Sequence, residues 1–66
     1  MIDFTKLKTE RKNQDITQAE MSDYVCISQG YLSEIENNKK KPSFYVLEKI
    51  IQKLGKEIQF YLIEKI

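Results

Sequence analysis

Polar side chains able to hydrogen-bond with another molecule are concentrated between residues 28 and 37. Those expected to face outward are amides, hydroxyls and one carboxylate rather than lysines or arginines: Ser28, Gln29, Ser33, Glu34 and Asn37. Amide and hydroxyl groups near the start of an exposed helix are suited to hydrogen bonds with base edges in a DNA major groove. An ordinary solvated polar face is the alternative, and the face alone does not decide between the two.

Three consecutive lysines, Lys39, Lys40 and Lys41, follow this segment directly. A run of like charges is usually solvated surface. Placed just after a helix that enters a groove, however, the same lysines would lie where phosphates pass. We therefore expect them to hold the DNA backbone without reading its sequence.

The composition argues against catalysis and metal binding. The chain has no histidine, no glycine-rich phosphate loop and one cysteine, Cys26, with no obvious base beside it. We expect no enzyme activity, no metal and no cofactor. Cys26 is expected to be a small buried residue in a turn, with a redox-sensing thiol as the minor alternative.

Two helix-start signals define the elements that would position the polar segment. Thr17 and Glu20 have the spacing of a capping box, and Ser28 is placed to cap a second helix. Leu32 and Ile35 then point inward on that second helix. The link between the helices is so short that they must cross steeply, as in a helix-turn-helix.

The segment ITQAEMSDYVCISQGYLSEIENNKKKPS resembles the helix-turn-helix of the lambda-repressor-like (Xre/Cro-type) DNA-binding family. The resemblance covers about residues 4–55. It implies an all-α domain of four to five helices, with residues 28–37 as the recognition helix. Two positions depart from the family pattern, because Cys26 and Asn38 stand where the family usually has glycine. Asn adopts left-handed backbone angles readily, whereas Cys26 would be strained there.

The resemblance also implies roles for individual residues. Gln29 would read a base edge, with adenine the natural partner of an amide, and Gln18 would contact the DNA backbone and brace Gln29. Arg11 would form an ion pair with Glu36, although an Arg11 side chain reaching to solvent is the alternative. The expected DNA-binding set comprises Gln18, Ser28, Gln29, Gly30, Tyr31, Ser33, Glu34, Asn37, Lys39, Lys40 and Lys41.

Two flanking helices complete the predicted domain, residues 1–55. Asp3 is expected to cap the first helix, and Ser43 the last, which Gly55 ends. Ala19 is expected where a crossing helix comes close. The predicted inner face of the last helix comprises Phe44, Leu47, Ile50, Ile51 and Leu54.

The tail, residues 56–66, forms the second predicted unit. Ile58, Phe60 and Leu62 alternate with polar or amphipathic residues, a period typical of a β-strand. A lone strand has an unpaired edge, so we expect a short C-terminal strand that pairs with its copy across a homodimer. A fifth helix is the alternative. Antitoxin-like members of the family resemble this layout.

Charge and length narrow the functional hypotheses. The chain has 66 residues and a net charge of +1, but residues 16–38 carry four acidic groups and no basic one. The favoured hypothesis is a cytoplasmic transcriptional regulator that binds double-stranded DNA as a homodimer. The alternative is an interaction module that binds a toxin or another protein partner. No apolar run is long enough to cross a membrane.

Overall fold

Residues 2–55 are the part of the chain that the computed structural model describes. They form four helices: α1 (Thr5–Asn13), α2 (Gln18–Val25), α3 (Gln29–Glu36) and α4 (Phe44–Leu54). The all-α prediction is therefore confirmed for this range. The predicted strand, with Ile58, Phe60 and Leu62, lies outside the described residues.

The helices enclose one small apolar core. Helix α2 packs against both α3 and α4, and α1 packs against the same two helices. The core residues are Phe4, Leu7, Met21, Val25, Leu32, Ile35, Val46, Ile50 and Leu54. Leu32 and Ile35 of α3 are completely buried, so α3 has one face anchored in the core.

Hydroxyl caps start three of the helices. The Thr17 hydroxyl accepts from the Glu20 amide at 3.0 Å, and the Glu20 carboxylate accepts from the Thr17 amide at 3.1 Å. Ser28 and Ser43 cap α3 and α4 by accepting from the amides three residues on. These predicted caps are confirmed. Hydrogen bonds from Thr17 stabilise the charged form of the Glu20 carboxylate, so the pKa of Glu20 is lowered.

Left-handed backbone angles occur at both departures from the family pattern. Cys26 has φ 65° and Asn38 has φ 59°. The turn between α2 and α3 closes through the Ile27 amide, which donates to the Ser22 carbonyl at 3.0 Å. A left-handed angle costs a residue with a Cβ roughly 1–2 kcal/mol. Cys26 is exposed rather than buried, so its expected burial is wrong, because the left-handed cap turns the side chain outward.

The first helix starts one residue later than predicted, because Asp3 was expected to be its N-cap residue. Its N-cap position is Phe4, which is buried and makes no side-chain cap bond. Asp3 Oδ1 nevertheless accepts from the amide and the hydroxyl of Thr5, at 3.0 Å and 2.6 Å. The carboxylate thus satisfies a free amide of the first turn from one position further out.

Two expectations about buried faces are wrong: Phe44 on the inner face of the last helix, and Ala19 at a close helix crossing. Phe44 is 82% exposed, whereas Val46 is buried. Val46, Ile50 and Leu54 follow at four-residue spacing, and a residue two positions before Val46 lies about 200° around the helix from it. Ala19 is also exposed, and Ser22 is the small buried residue of α2.

Aromatic and basic side chains share the outer surface of α2 and α4. The Lys53 ammonium lies 5.2 Å from the ring centroid of Tyr24, and Lys49 lies 6.0 Å from Tyr24 and 5.7 Å from Tyr45. Tyr24 is therefore a surface residue. Among residues 2–55, no helix is both long and apolar enough to span a lipid bilayer.

Candidate nucleic-acid interface

Helix α3 presents a polar face opposite its buried one. Ser28, Gln29, Gly30 and Asn37 are exposed, and Ser33 and Glu34 are half-buried. Tyr31 is half-buried against the core, so its hydroxyl alone is a candidate for contact with DNA. The Ser28 oxygen is already the cap of α3, accepting from the Tyr31 amide at 3.1 Å. Its hydroxyl hydrogen is still available for donation.

Gln29 and Gly30 occupy the first turn of α3. Gln29 is exposed, and no hydrogen bond from its side chain is found among the described residues. Its amide therefore offers both a donor and an acceptor to another molecule. Among the described residues, no atom lies within 4 Å of a Cβ built at Gly30. Packing within residues 2–55 therefore does not require glycine there, and the backbone is open to a close neighbour.

Asn37 and Ser33 are partly used by the helix itself. The Asn37 Nδ2 donates to the Ser33 carbonyl at 2.9 Å and lies 3.4 Å from the Ser33 hydroxyl. The donor side of the Asn37 amide is thus turned back onto α3. Its carbonyl oxygen keeps acceptor capacity, which makes Asn37 a less complete reader of a base edge than Gln29.

Lys39, Lys40 and Lys41 follow the end of α3, and all three are exposed. The Glu34 carbonyl accepts from the amides of Lys39 and Lys40, at 2.8 Å and 3.3 Å. The Lys40 ammonium also lies 3.8 Å from a Glu34 carboxylate oxygen. Both side chains are about half-exposed, so this ion pair contributes little to stability. It does offset the negative charge that α3 would otherwise present.

A buried ion pair lies beneath the interface. Arg11 Nε donates to Glu36 Oε2 at 2.8 Å, and Arg11 Nη2 donates to Glu36 Oε1 at 3.2 Å. The remaining arm of the guanidinium donates to the Ile16 carbonyl at 2.7 Å. Both side chains are at least 94% buried. Arg11 therefore does not reach solvent, and it holds the last residue of α3 on α1.

Gln18 belongs to the same buried network. Its Nε2 donates to Glu36 Oε1 at 3.1 Å. The Gln18 side chain thus braces Glu36. The resemblance implied that Gln18 braces Gln29, but no hydrogen bond joins these two residues within residues 2–55. An amide nitrogen carries two hydrogens, so Gln18 keeps one donor for a phosphate outside the fold.

The side-chain contacts of Asn38, near this site, were not predicted from the sequence. Its backbone angle was anticipated, but its side chain also bonds to residues at the start of α1. No local pattern indicates such a contact, because its partners, Asp3 and Phe4, are distant in the sequence. The relevant signal is the choice of asparagine, which has an amide, where glycine would satisfy the backbone.

These elements define a class of protein. Two short capped helices joined by a tight turn, with the second helix exposing a polar face, form a helix-turn-helix domain. The helix-turn-helix family model matches residues 7–61. The chain belongs to the lambda-repressor-like, Xre-type branch of this family.

The curated relatives include a transcriptional regulator called ClgR from two strains of Mycobacterium tuberculosis, CDC 1551 / Oshkosh and ATCC 25618 / H37Rv. Each is 40% identical to this chain over 58 residues, which cover 88% of the chain and 52% of the relative. The chain thus spans about half the length of these relatives. No solved structure gives a significant match.

The buried ion pair generates a stability prediction. Arg11→Met or Glu36→Leu alone should lower the free energy of unfolding by about 3–5 kcal/mol, because each leaves an uncompensated buried charge. The double variant Arg11→Met/Glu36→Leu should recover much of this loss. Urea denaturation followed by circular dichroism measures all three. Equal losses that simply add in the double variant would contradict the assignment.

Proposed function

We propose that the chain binds duplex DNA in a sequence-specific manner as a homodimer and regulates transcription. Residues 28–37 enter the major groove, and Lys39, Lys40 and Lys41 contact phosphates. The observation that carries the proposal is the amide of Gln29 at the start of α3, which is exposed and has no hydrogen-bond partner within residues 2–55. The opposite face of the same helix is fully buried. The curated relatives are named as transcriptional regulators, which supports the same function.

The roles within the groove follow from which groups are free. Gln29 makes the base-specific contact, and an amide pairs best with adenine N6 and N7. Gly30 allows the helix backbone to approach. Glu34 accepts from a cytosine amino group, while Ser28, Tyr31, Ser33 and Asn37 supply further polar contacts. Gln18 donates its second amide hydrogen to a phosphate at the edge of the groove.

Two copies bind together because one copy has little net attraction for DNA. The net charge of the chain is only +1, and affinity for DNA depends largely on the number of phosphates neutralised. A homodimer doubles these contacts and fixes the spacing of two half-sites. Ile58, Phe60 and Leu62, which lie outside the described residues, form the dimerising strand of the proposal.

A second candidate function is an interaction module with a protein partner. The exposed aromatic side chains Tyr24, Phe44 and Tyr45 favour it, since each is at least 43% exposed. A salt titration on mixed duplex DNA distinguishes the two. Measurable binding at low salt that weakens as salt rises supports the DNA-binding function. Absence of binding even at low salt supports the interaction module.

Gln29→Ala should relax specificity at one base pair and cost about 1–3 kcal/mol of binding to the preferred site. The physical reason is the loss of a bidentate contact with a single base. Site selection from a randomised duplex library, followed by titration, measures both effects. Gln52→Ala is the matched control, because Gln52 is an exposed amide on α4. An unchanged site preference in Gln29→Ala would rule out this role.

Lys40→Ala should weaken binding to all sequences alike and lower the slope of log K against log salt by about one. It also leaves the Glu34 carboxylate uncompensated, so it should weaken binding more than Lys39→Ala does. Lys40→Ala/Glu34→Gln should remove that extra loss. Lys12→Ala, at an exposed position on α1, is the control. A wild-type salt slope in Lys40→Ala would contradict the phosphate contact.

The homodimer predicts a solution mass of twice the 7.9 kDa chain. Sedimentation equilibrium of the full chain measures it directly. Phe60→Glu should shift the mass toward the monomer, because a charge on the apolar face of the strand opposes its burial between two copies. Lys65→Glu, a charge change near the end of the same tail, is the control. A monomeric wild-type chain at working concentration would contradict the homodimer.

A further inference from the structure

The side chain of Asn38 links the end of α3 to the start of α1. Its Oδ1 accepts from the Phe4 amide at 2.9 Å, and its Nδ2 donates to Asp3 Oδ1 at 3.1 Å. The partners lie 34 and 35 positions away in the sequence. This one amide therefore uses a donor and an acceptor to join two distant segments.

Both ends of the link are themselves fixed. Asp3 Oδ1 also accepts from the amide and the hydroxyl of Thr5, which attaches it to the first turn of α1. The backbone amide of Asn38 donates to the Ile35 carbonyl at 3.1 Å. This bond attaches Asn38 to the last turn of α3. The link therefore runs from one helix to another, and not between two loose segments.

The lysines begin at the next residue. The Glu34 carbonyl accepts from the amides of Lys39 and Lys40, so the chain turns sharply as it leaves α3. Asn38 lies at the centre of that turn, with φ 59°. The direction in which the lysine side chains leave the domain thus depends on how the Asn38 backbone is held.

The left-handed angle alone does not require this side chain. Glycine meets such an angle at lower cost and is the usual residue after a helix. Asparagine adds only its amide, and here that amide makes two long-range bonds. A helix-capping role therefore explains the backbone of Asn38 and leaves its side-chain contacts without an explanation.

We infer that Asn38 is a positioning residue for the phosphate contacts of Lys39, Lys40 and Lys41. Its amide fixes the start of the lysine segment against α1, so the ammonium groups approach the phosphates beside α3 with less loss of conformational freedom on binding. Asn38 itself need not touch DNA. The inference rests on the proposed function, because it concerns the same interface.

The first test is Asn38→Gly in the full chain, which keeps the left-handed angle and removes the amide. Affinity for the preferred duplex should fall on the order of tenfold, since the lysine segment must then be ordered on binding. The slope of log K against log salt should become shallower, by up to about one for each phosphate that is no longer neutralised. Far-ultraviolet circular dichroism should match the wild type.

A second variant disturbs the same link through its partner. Asn38→Asp keeps the acceptor for the Phe4 amide but replaces the donor to Asp3 Oδ1 by a second carboxylate. It should weaken binding and flatten the salt slope.

A matched control removes a long-range amide elsewhere. Gln14 Nε2 donates to the Leu54 carbonyl at 2.7 Å, so Gln14→Ala breaks a comparable link far along the chain from the lysines. It should lower thermal stability without changing the salt slope. An equal change of slope in Gln14→Ala would mean that general destabilisation is responsible, and would overturn the inference.

The remaining outcomes are also decisive. If wild type binds duplex DNA and Asn38→Gly binds with the same affinity and salt slope, the positioning role is wrong while the proposed function stands. An Asn38→Asp variant with the affinity and salt slope of the wild type would also contradict the role. If the wild type does not bind duplex DNA at low salt, the proposed function and the positioning role both fail.

Discussion

The buried bond between Arg11 and Glu36 is the constraint on which the arrangement of the other helices depends. It joins the last residue of α3 to the inner face of α1, and Glu36 also receives the amide of Gln18, the first residue of α2. A charge pair this deeply buried tolerates little displacement, because each group needs all of its partners. The relative orientation of three helices is thereby fixed at one carboxylate.

This fixed orientation determines what the domain can present to a ligand. Leu32 and Ile35 hold one side of α3 in the core, and the Ser28 cap defines where its first exposed turn begins. The strained turn at Cys26 persists because the structure on both sides determines its path. The exposed amide of Gln29 thus projects from a helix held at its end, along its inner face and at its start.

The sequence predicted the features that depend on local chemistry. The caps at Thr17, Ser28 and Ser43 were all found, because each concerns residues within one helical turn. The exposure of Phe44 and the side-chain bonds of Asn38 were not, since they depend on how α4 and α1 pack in three dimensions. The partner of Arg11 came from the family resemblance, because local spacing contains no information about a residue 25 positions away.

The formal charge of residues 16–38 overstates the negative field that a DNA molecule would meet. Glu36 is neutralised in the interior by Arg11, and Glu34 lies beside Lys40. The polar face of α3 is consequently closer to neutral than its sequence suggests. In the proposed complex, such a face would select by hydrogen bonding, and the attraction for phosphates would come from the lysines.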